Sequence, residues 1–173
     1  MKLLTLLRHG KSVQDPAYAT DRERPLADRG RRDATLLGKF FAQAEVVPDL
    51  IVSSPAVRAR QTAELFATAA GYPGEIRWEE AIYAGDADGL LAVVRALPDT
   101  ATHALLIGHN PGFEDLVAVL VGAGAATEGG RVVLSTATAA HLELNADRWP
   151  DARAGAGLLQ WLLSPKLLKK AAG

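Results

Sequence analysis

Arg8 and His9 stand side by side at the end of an apolar run, Leu3-Leu4-Thr5-Leu6-Leu7, and Gly10 follows them. Five mostly apolar residues of this kind read as a short buried strand, and the glycine lets the chain turn sharply. A cation beside an imidazole at the carboxyl end of a strand sits where open α/β sheets bind ligands. The guanidinium is a planar fork of donors suited to phosphate, and an imidazole can act as a covalent nucleophile. Alone, Arg-His-Gly reads more simply as a strand end with a solvated cation, so the case depends on matching parts further along.

Two later segments supply such parts. Leu50-Ile51-Val52-Ser53 reads as a second buried strand, and Ser54-Pro55 after it as the N-cap and first position of a helix. Arg58 then falls in the first helical turn, where the amino end already attracts anions. Arg60, two residues on, points elsewhere and reads as a surface charge. The run 102–107 is a further strand, followed by Gly108-His109-Asn110-Pro111-Gly112. Asn110 and Pro111 repeat the cap-and-proline arrangement, which puts His109 between a strand end and a helix start. His103 opens a strand and His141 alternates with apolar neighbours, so both read as members of a polar, solvated face.

The elements that must position these residues follow from periodicity. Residues 11–27 are polar, contain Pro16 and Pro25, and form a long loop that carries Arg22 and Arg24. From Asp28 the spacing of Ala34, Leu37, Phe41 and Ala44 is helical, with Asp28 or a close neighbour as cap. Ala59, Ala63, Phe66 and Ala70 mark the second helix, which ends at Gly71. A short strand over 75–78, an acidic loop and a helix over about 88–97 follow, with Asp86 and Asp88 as structural first-turn acids. Phe113, Leu116, Val117 and Leu120 form another helical stripe. Residues 122–130 read as a flexible glycine-rich connection, 131–134, 138–144 and 158–163 as strands, and Lys166, Lys169 and Lys170 as a solvated basic end.

Strands alternating with helices imply a largely parallel sheet. Its carboxyl ends lie along one edge, where Arg8, His9, Arg58 and His109 meet as a pocket for a dianionic tetrahedral group. Composition sets the frame: 173 residues without repeats suit one domain over 1–173. A formal net charge of −1 gives no global pull toward nucleic acid or membrane, and no apolar run is long enough to span a bilayer. Zero cysteines remove disulfides and thiolate chemistry, and the four histidines lack metal-site spacing. A cytoplasmic protein without metal or cofactor is the expectation.

Leu7-Arg8-His9-Gly10-Lys11-Ser12, Ser53-Ser54-Pro55-Ala56-Val57-Arg58-Ala59-Arg60-Gln61-Thr62-Ala63 and Gly108-His109-Asn110-Pro111-Gly112 resemble, in order, the three motifs of the histidine phosphatase superfamily, the phosphoglycerate mutase-like proteins. Arg24-Pro25-Leu26, Phe113-Glu114 and Trp161-Leu162-Leu163-Ser164-Pro165 are most similar to its SixA branch of phosphohistidine phosphatases. The resemblance implies a three-layer α/β/α sandwich with a mostly parallel sheet and His9 as the phosphorylated nucleophile. It implies Arg8, Arg58 and His109 as phosphate ligands, Arg24 as a further contact, and no cofactor. Larger family members use a glutamate ahead of a Tyr-Gly-like segment as proton donor. Glu80, ahead of Tyr83 and Gly85, falls at a similar place, with a surface carboxylate as the alternative. The expected substrate is phosphohistidine on a protein. A small phosphate ester, hydrolysed by a phosphomonoesterase of the same superfamily, and a non-catalytic phosphate- or phosphoprotein-binding module are the alternatives.

Overall fold

A computed structural model describes residues 1–122 and 132–172. In chain order the elements are β1 (Lys2–Arg8), α1 (Asp28–Gln43), β2 (Leu50–Ser53), α2 (Val57–Ala70), β3 (Ile76–Trp78), α3 (Ala87–Arg95), β4 (His103–Gly108), α4 (Gly112–Val121), β5 (Ala139–Leu144), β6 (Gly157–Leu163) and α5 (Pro165–Ala172). They build one six-stranded sheet in the order β3-β2-β4-β1-β5-β6. β3, β2, β4 and β1 pair in parallel, while β5 and β6 add an antiparallel edge. The sandwich with a mostly parallel sheet is therefore present.

The central strands are apolar on both sides because helices cover both faces of the sheet. Leu4, Leu6, Ala104 and Leu106 pack with Leu90, Val94, Phe113, Leu116 and Leu120 of α3 and α4. Leu7, Ile51, Leu105 and Ile107 pack with Leu37 and Phe41 of α1 and Ala59, Ala63 and Phe66 of α2. Parallel pairing sets Arg8 opposite Gly108 and Ser53 opposite Ile107. The residues just beyond these pairs thus emerge level with one another at one edge of the sheet.

Several local expectations are corrected. His103 and His141 are buried, not solvated. Their Nε2 and Nδ1 atoms each lie 2.8 Å from the Thr5 hydroxyl. That hydroxyl has one proton, so at least one of the two rings donates to it. Trp161 stacks on His141 with centroids 4.6 Å apart and is itself edge-on to Phe41. The alternation in β5 separates two cores, not core from water. α1 begins with Ala27 as its cap residue and Asp28 as its first helical residue, with no side-chain cap. α2 begins at Val57 with Ala56 as cap residue, three residues after Ser54, whose hydroxyl accepts from Ala56 N instead. Asn110 does not cap α4: Pro111 occupies that place after a cis peptide bond, and the Asn110 amide donates to Glu114 and Leu134 O. Asp86 does cap α3, through Gly89 N at 2.9 Å. The basic end is a helix, α5, and Lys169 donates at 2.6 Å to the buried Asp33 of α1. Residues 132–134 are not a strand, whereas Arg131 and the glycine-rich stretch 123–130 lie outside the described residues.

One backbone contact ties α1 to the end of β1. Ala27 N donates to Lys11 O at 2.8 Å, and a Cβ added to Gly30 would lie 2.2 Å from that same oxygen. A Gly30→Ala variant is expected to lose roughly 1–3 kcal/mol of stability in urea unfolding, because backbone and not a flexible side chain must move. The buried histidines make a second prediction. Burial, then the neighbouring His141, holds His103 at about 4 instead of 6.5. Between those values the unfolded chain binds more protons than the folded one, so stability falls as pH drops from about 6.5 to about 4. His103 contributes on the order of 3 kcal/mol to that loss, and a His103→Asn variant should show a shallower slope of unfolding free energy against pH.

Candidate active site

The register of β1, β2 and β4 brings the three sequence segments together. His9 leaves the end of β1 with its backbone N–H bonded to Gly108 O at 3.0 Å. His109 leaves the end of β4, and the two imidazole centroids are 5.1 Å apart. Arg58 rises from the first turn of α2, with its side chain only 7% exposed. Arg8, His9, Arg24, Arg58 and His109 share the lining of one cavity of about 330 Å³.

The His9 ring is fixed in one orientation. Its Nδ1 lies 2.7 Å from Gly10 O, and a carbonyl only accepts, so Nδ1 carries the proton. Nε2 is left with its lone pair, and Arg58 Nε donates to it at 3.2 Å. Gly10 is itself held, its N–H donating to Thr62 Oγ1 at 3.0 Å, while that hydroxyl donates to Arg58 O at 2.7 Å. Thr62, one turn after Arg58 on α2, thereby joins both partners. Burial pushes His9 down to about 4; the Gly10 carbonyl opposes this, and Arg58, Arg8 and Arg24 add to it. At neutral pH the ring is uncharged and nucleophilic at Nε2.

His109 is neutral for the same reasons, lowered to about 3 by burial, then by His9 and Arg58. Its Nε2 lies 2.8 Å from Ser54 Oγ and its Nδ1 3.3 Å from Arg58 Nη2. Tyr83 packs edge-on against the ring at 5.5 Å. Arg8 is anchored by Nη1 donating to Leu134 O at 2.8 Å. Arg24 reaches the cavity from the 11–27 loop and donates to Ser12 Oγ and Val13 O.

Asp21, unremarked in the sequence, is the carboxylate of this cavity. Its Oδ2 accepts from Arg58 Nη2 at 2.8 Å, its Oδ1 from Arg24 Nε at 3.0 Å and also from Arg24 Nη2, and its backbone oxygen from Arg58 Nη1 at 2.6 Å. Burial raises its pKa, but the hydrogen bonds from Arg24 and Arg58 outweigh that and hold the carboxyl below its usual value. The three-residue spacing of Asp21 and Arg24, the first residue and the C-cap of a one-turn helix (Asp21–Glu23), was the available signal. Ser54 was legible only as a cap, and its bond to His109 depends on β2 and β4 pairing.

Glu80 is not brought into the cavity. It is exposed and bound by both amino groups of Arg22, Nη2 to Oε2 at 2.8 Å. The Arg22 hydrogen bonds lower its pKa, so it holds no proton at neutral pH. Arg60 is exposed, over the Trp78 ring. Among the described residues no three His, Cys, Asp or Glu side chains are grouped to hold a metal ion, and no helix there is long and apolar enough to cross a membrane.

Chemically, the cavity presents three guanidinium groups and the unprotonated Nε2 of His9, a set suited to a tetrahedral oxyanion. Known proteins share this fold. The structure of the protein histidine phosphatase SixA complexed with tungstate superposes with a TM-score of 0.81 at 25% identity, over 96% of this chain and 99% of that one. A SixA structure from Agrobacterium tumefaciens superposes with a TM-score of 0.78 at 26% identity, over 95% and 98%. The protein ML1117 of Mycobacterium leprae (strain TN) is 31% identical over 121 residues, 68% of this chain and 73% of that protein. The family model described as histidine phosphatase superfamily (branch 1) matches residues 4–119, which include all three motifs. The chain belongs to the histidine phosphatase superfamily.

Proposed function

We propose that this phosphatase hydrolyses phosphohistidine on a protein, carrying the phosphoryl group transiently on His9. The observation that supports the reading is the His9 ring itself: Nδ1–H is spent on Gly10 O and Nε2 faces three arginines in an open cavity. His9 Nε2 attacks phosphorus in line. The bond from phosphorus to the substrate imidazole breaks, its electron pair stays on the leaving nitrogen, and that nitrogen takes a proton from solvent. Water then attacks the phosphoryl group, the bond to His9 Nε2 breaks, and phosphate leaves with His9 again neutral. Arg8 and Arg58 neutralise charge on the equatorial oxygens, and such positioning and charge stabilisation supply most of phosphoryl-transfer catalysis. Burial and then the neighbouring charges keep His109 neutral; a bound dianion offsets the cationic part and favours a proton on the ring, which then donates.

An imidazole leaves phosphorus more readily than an alkoxide does, so the reading needs no dedicated acid. This agrees with Glu80 being ionised against Arg22 and Asp21 being ionised against Arg24 and Arg58. SixA, which the fold resembles along nearly its whole length, is described as a protein histidine phosphatase. A small-molecule phosphomonoesterase is the second reading, favoured by the modest volume of the cavity.

The deciding experiment is phosphate release by purified protein, with EDTA present, from a histidine-phosphorylated protein and a panel of small phosphate esters. His9→Ala is the control. Preference for phosphohistidine, lost in the variant, is expected. Faster turnover of one ester moves the chain to the small-molecule reading, and no release from any substrate leaves a binding module. The pH dependence is a second check. With His9 at about 4, kcat/KM corrected for substrate ionisation should stay level from about pH 8 down to about pH 5 and fall only as pH drops through about 4. An acid limb centred at 6.5 would sink the assignment of His9 as a pre-neutralised nucleophile. Arg58→Ala is expected to lower kcat by roughly 10²–10³. Asp21 competes with phosphate for Arg24 and Arg58. Asp21→Asn should therefore tighten competitive inhibition by orthovanadate roughly tenfold, about 1.4 kcal/mol.

A further inference from the structure

The outward side of α1 and the end of the chain carry a charge segregation that the phosphate cavity does not use. α1 and α5 together hold seven Lys or Arg side chains and two Asp. That is a balance of +5 in a chain whose formal net charge is −1, so the remainder carries −6. One of the two acids is already engaged: buried Asp33 takes Lys169 Nζ at 2.6 Å and Arg29 Nε at 3.5 Å. Arg31, Arg32, Thr35, Leu36, Lys39 and Lys169 line a single surface concavity of about 500 Å³. Arg31, Arg32 and Lys39 are exposed there, and Leu36 is partly buried.

The start of α1, next to Arg31 of this concavity, adjoins the active-site edge. Lys11 lines the phosphate cavity, and its backbone oxygen accepts from Ala27 N beside the close approach of Gly30. From Gly30, nine residues of helix to Lys39 rise about 14 Å. A phosphate ester of metabolite size seated against His9 does not reach cations that far along the helix. A folded protein does. A concave, cation-rimmed surface with an aliphatic side chain in its lining also fits the relief of a protein better than the plane of a bilayer.

We propose that this basic concavity docks an acidic surface of the protein that carries the phosphohistidine, and so steers the phosphoryl group into the cavity at His9. The proposal rests on the phosphohistidine-protein reading above. Opposite charge across such a surface speeds encounter and is screened by salt, so it acts on kcat/KM and leaves the chemistry at phosphorus alone.

The test uses Arg32→Glu/Lys39→Glu, two exposed positions, and spares Arg29 and Lys169 because they hold Asp33. Arg32→Gln/Lys39→Gln is the milder variant should charge reversal impair folding, which the thermal unfolding midpoint reports. The substrates are one acidic and one basic histidine-containing protein, each phosphorylated with phosphoramidate, and free phosphohistidine. For wild type, kcat/KM on the acidic protein should fall as salt rises from about 20 to about 300 mM. It should fall at least roughly tenfold in the charge-reversal variant, less in the glutamine variant, and not on free phosphohistidine. Equal turnover of the acidic protein by folded variant and wild type overturns the docking proposal, as does an equal loss on free phosphohistidine. Binding of wild type to phosphatidylglycerol vesicles, lost in the variant while protein turnover is unchanged, assigns the surface to lipid and overturns it too. Failure of wild type to release phosphate from any phosphohistidine substrate instead overturns the underlying reading, and the docking proposal with it.

Discussion

Everything at this site depends on one constraint, the parallel pairing of β1 with β4 in the register that sets Arg8 opposite Gly108. The side chain following each strand end is a histidine, so that register places His9 and His109 level, with centroids 5.1 Å apart. A slip of one residue in a strand turns every side chain to the other face. Here it would exchange Leu4 and Leu6 for Thr5 and Leu7 between the two cores as well as part the histidines. The pattern that packs both faces of the sheet therefore also sets the active-site spacing, and the same contacts serve stability and chemistry.

Around that pair the cavity is held by bonds to backbone more than by side-chain choice. Gly10 O fixes the His9 tautomer, Leu134 O anchors Arg8, and Asp21 O meets Arg58. Backbone oxygens cannot take up protons in the working range, so they orient a neutral imidazole and permanent cations without adding titrating charge. Neutral histidines among arginines would be unfavourable if charged. Burial keeps both neutral. Asp21 is the exception: a carboxylate already resting on two of the arginines, on an exposed turn of the 11–27 loop. It satisfies those cations while no anion is bound.

His103 and His141 show how the same residue type is used twice. At the carboxyl ends of the strands, imidazoles face a solvent-open cavity lined by arginines. Within the sheet, His103 and His141 share the Thr5 hydroxyl and His141 stacks on Trp161, both histidines buried and without cationic partners among the described residues. Position along the strand, and not residue identity, separates the pair at the cavity from the pair buried in the sheet.

What could be read from sequence was whatever local chemistry and short-range pattern determine. Arg-His-Gly after an apolar run, Arg58 early in a helix and His109 after a buried strand are local statements, and each survives folding. So did the end of α2 at Gly71, whose positive φ of 67° only glycine adopts without cost, and the cap of α3 at Asp86. What only the tertiary structure decided was anything that pairs residues far apart in the chain. The burial of His141 depends on Trp161 and on helices packing over the second face of the sheet. The presence of Asp21 in the cavity depends on Arg58, 37 residues away. The absence of Glu80 from the cavity lining depends on Arg22, 58 residues away. A single amphipathic period cannot distinguish a strand face open to water from one covered by a later helix, and a loop carboxylate has no period at all. Those outcomes follow from the free energy of assembled contacts, which no local window contains.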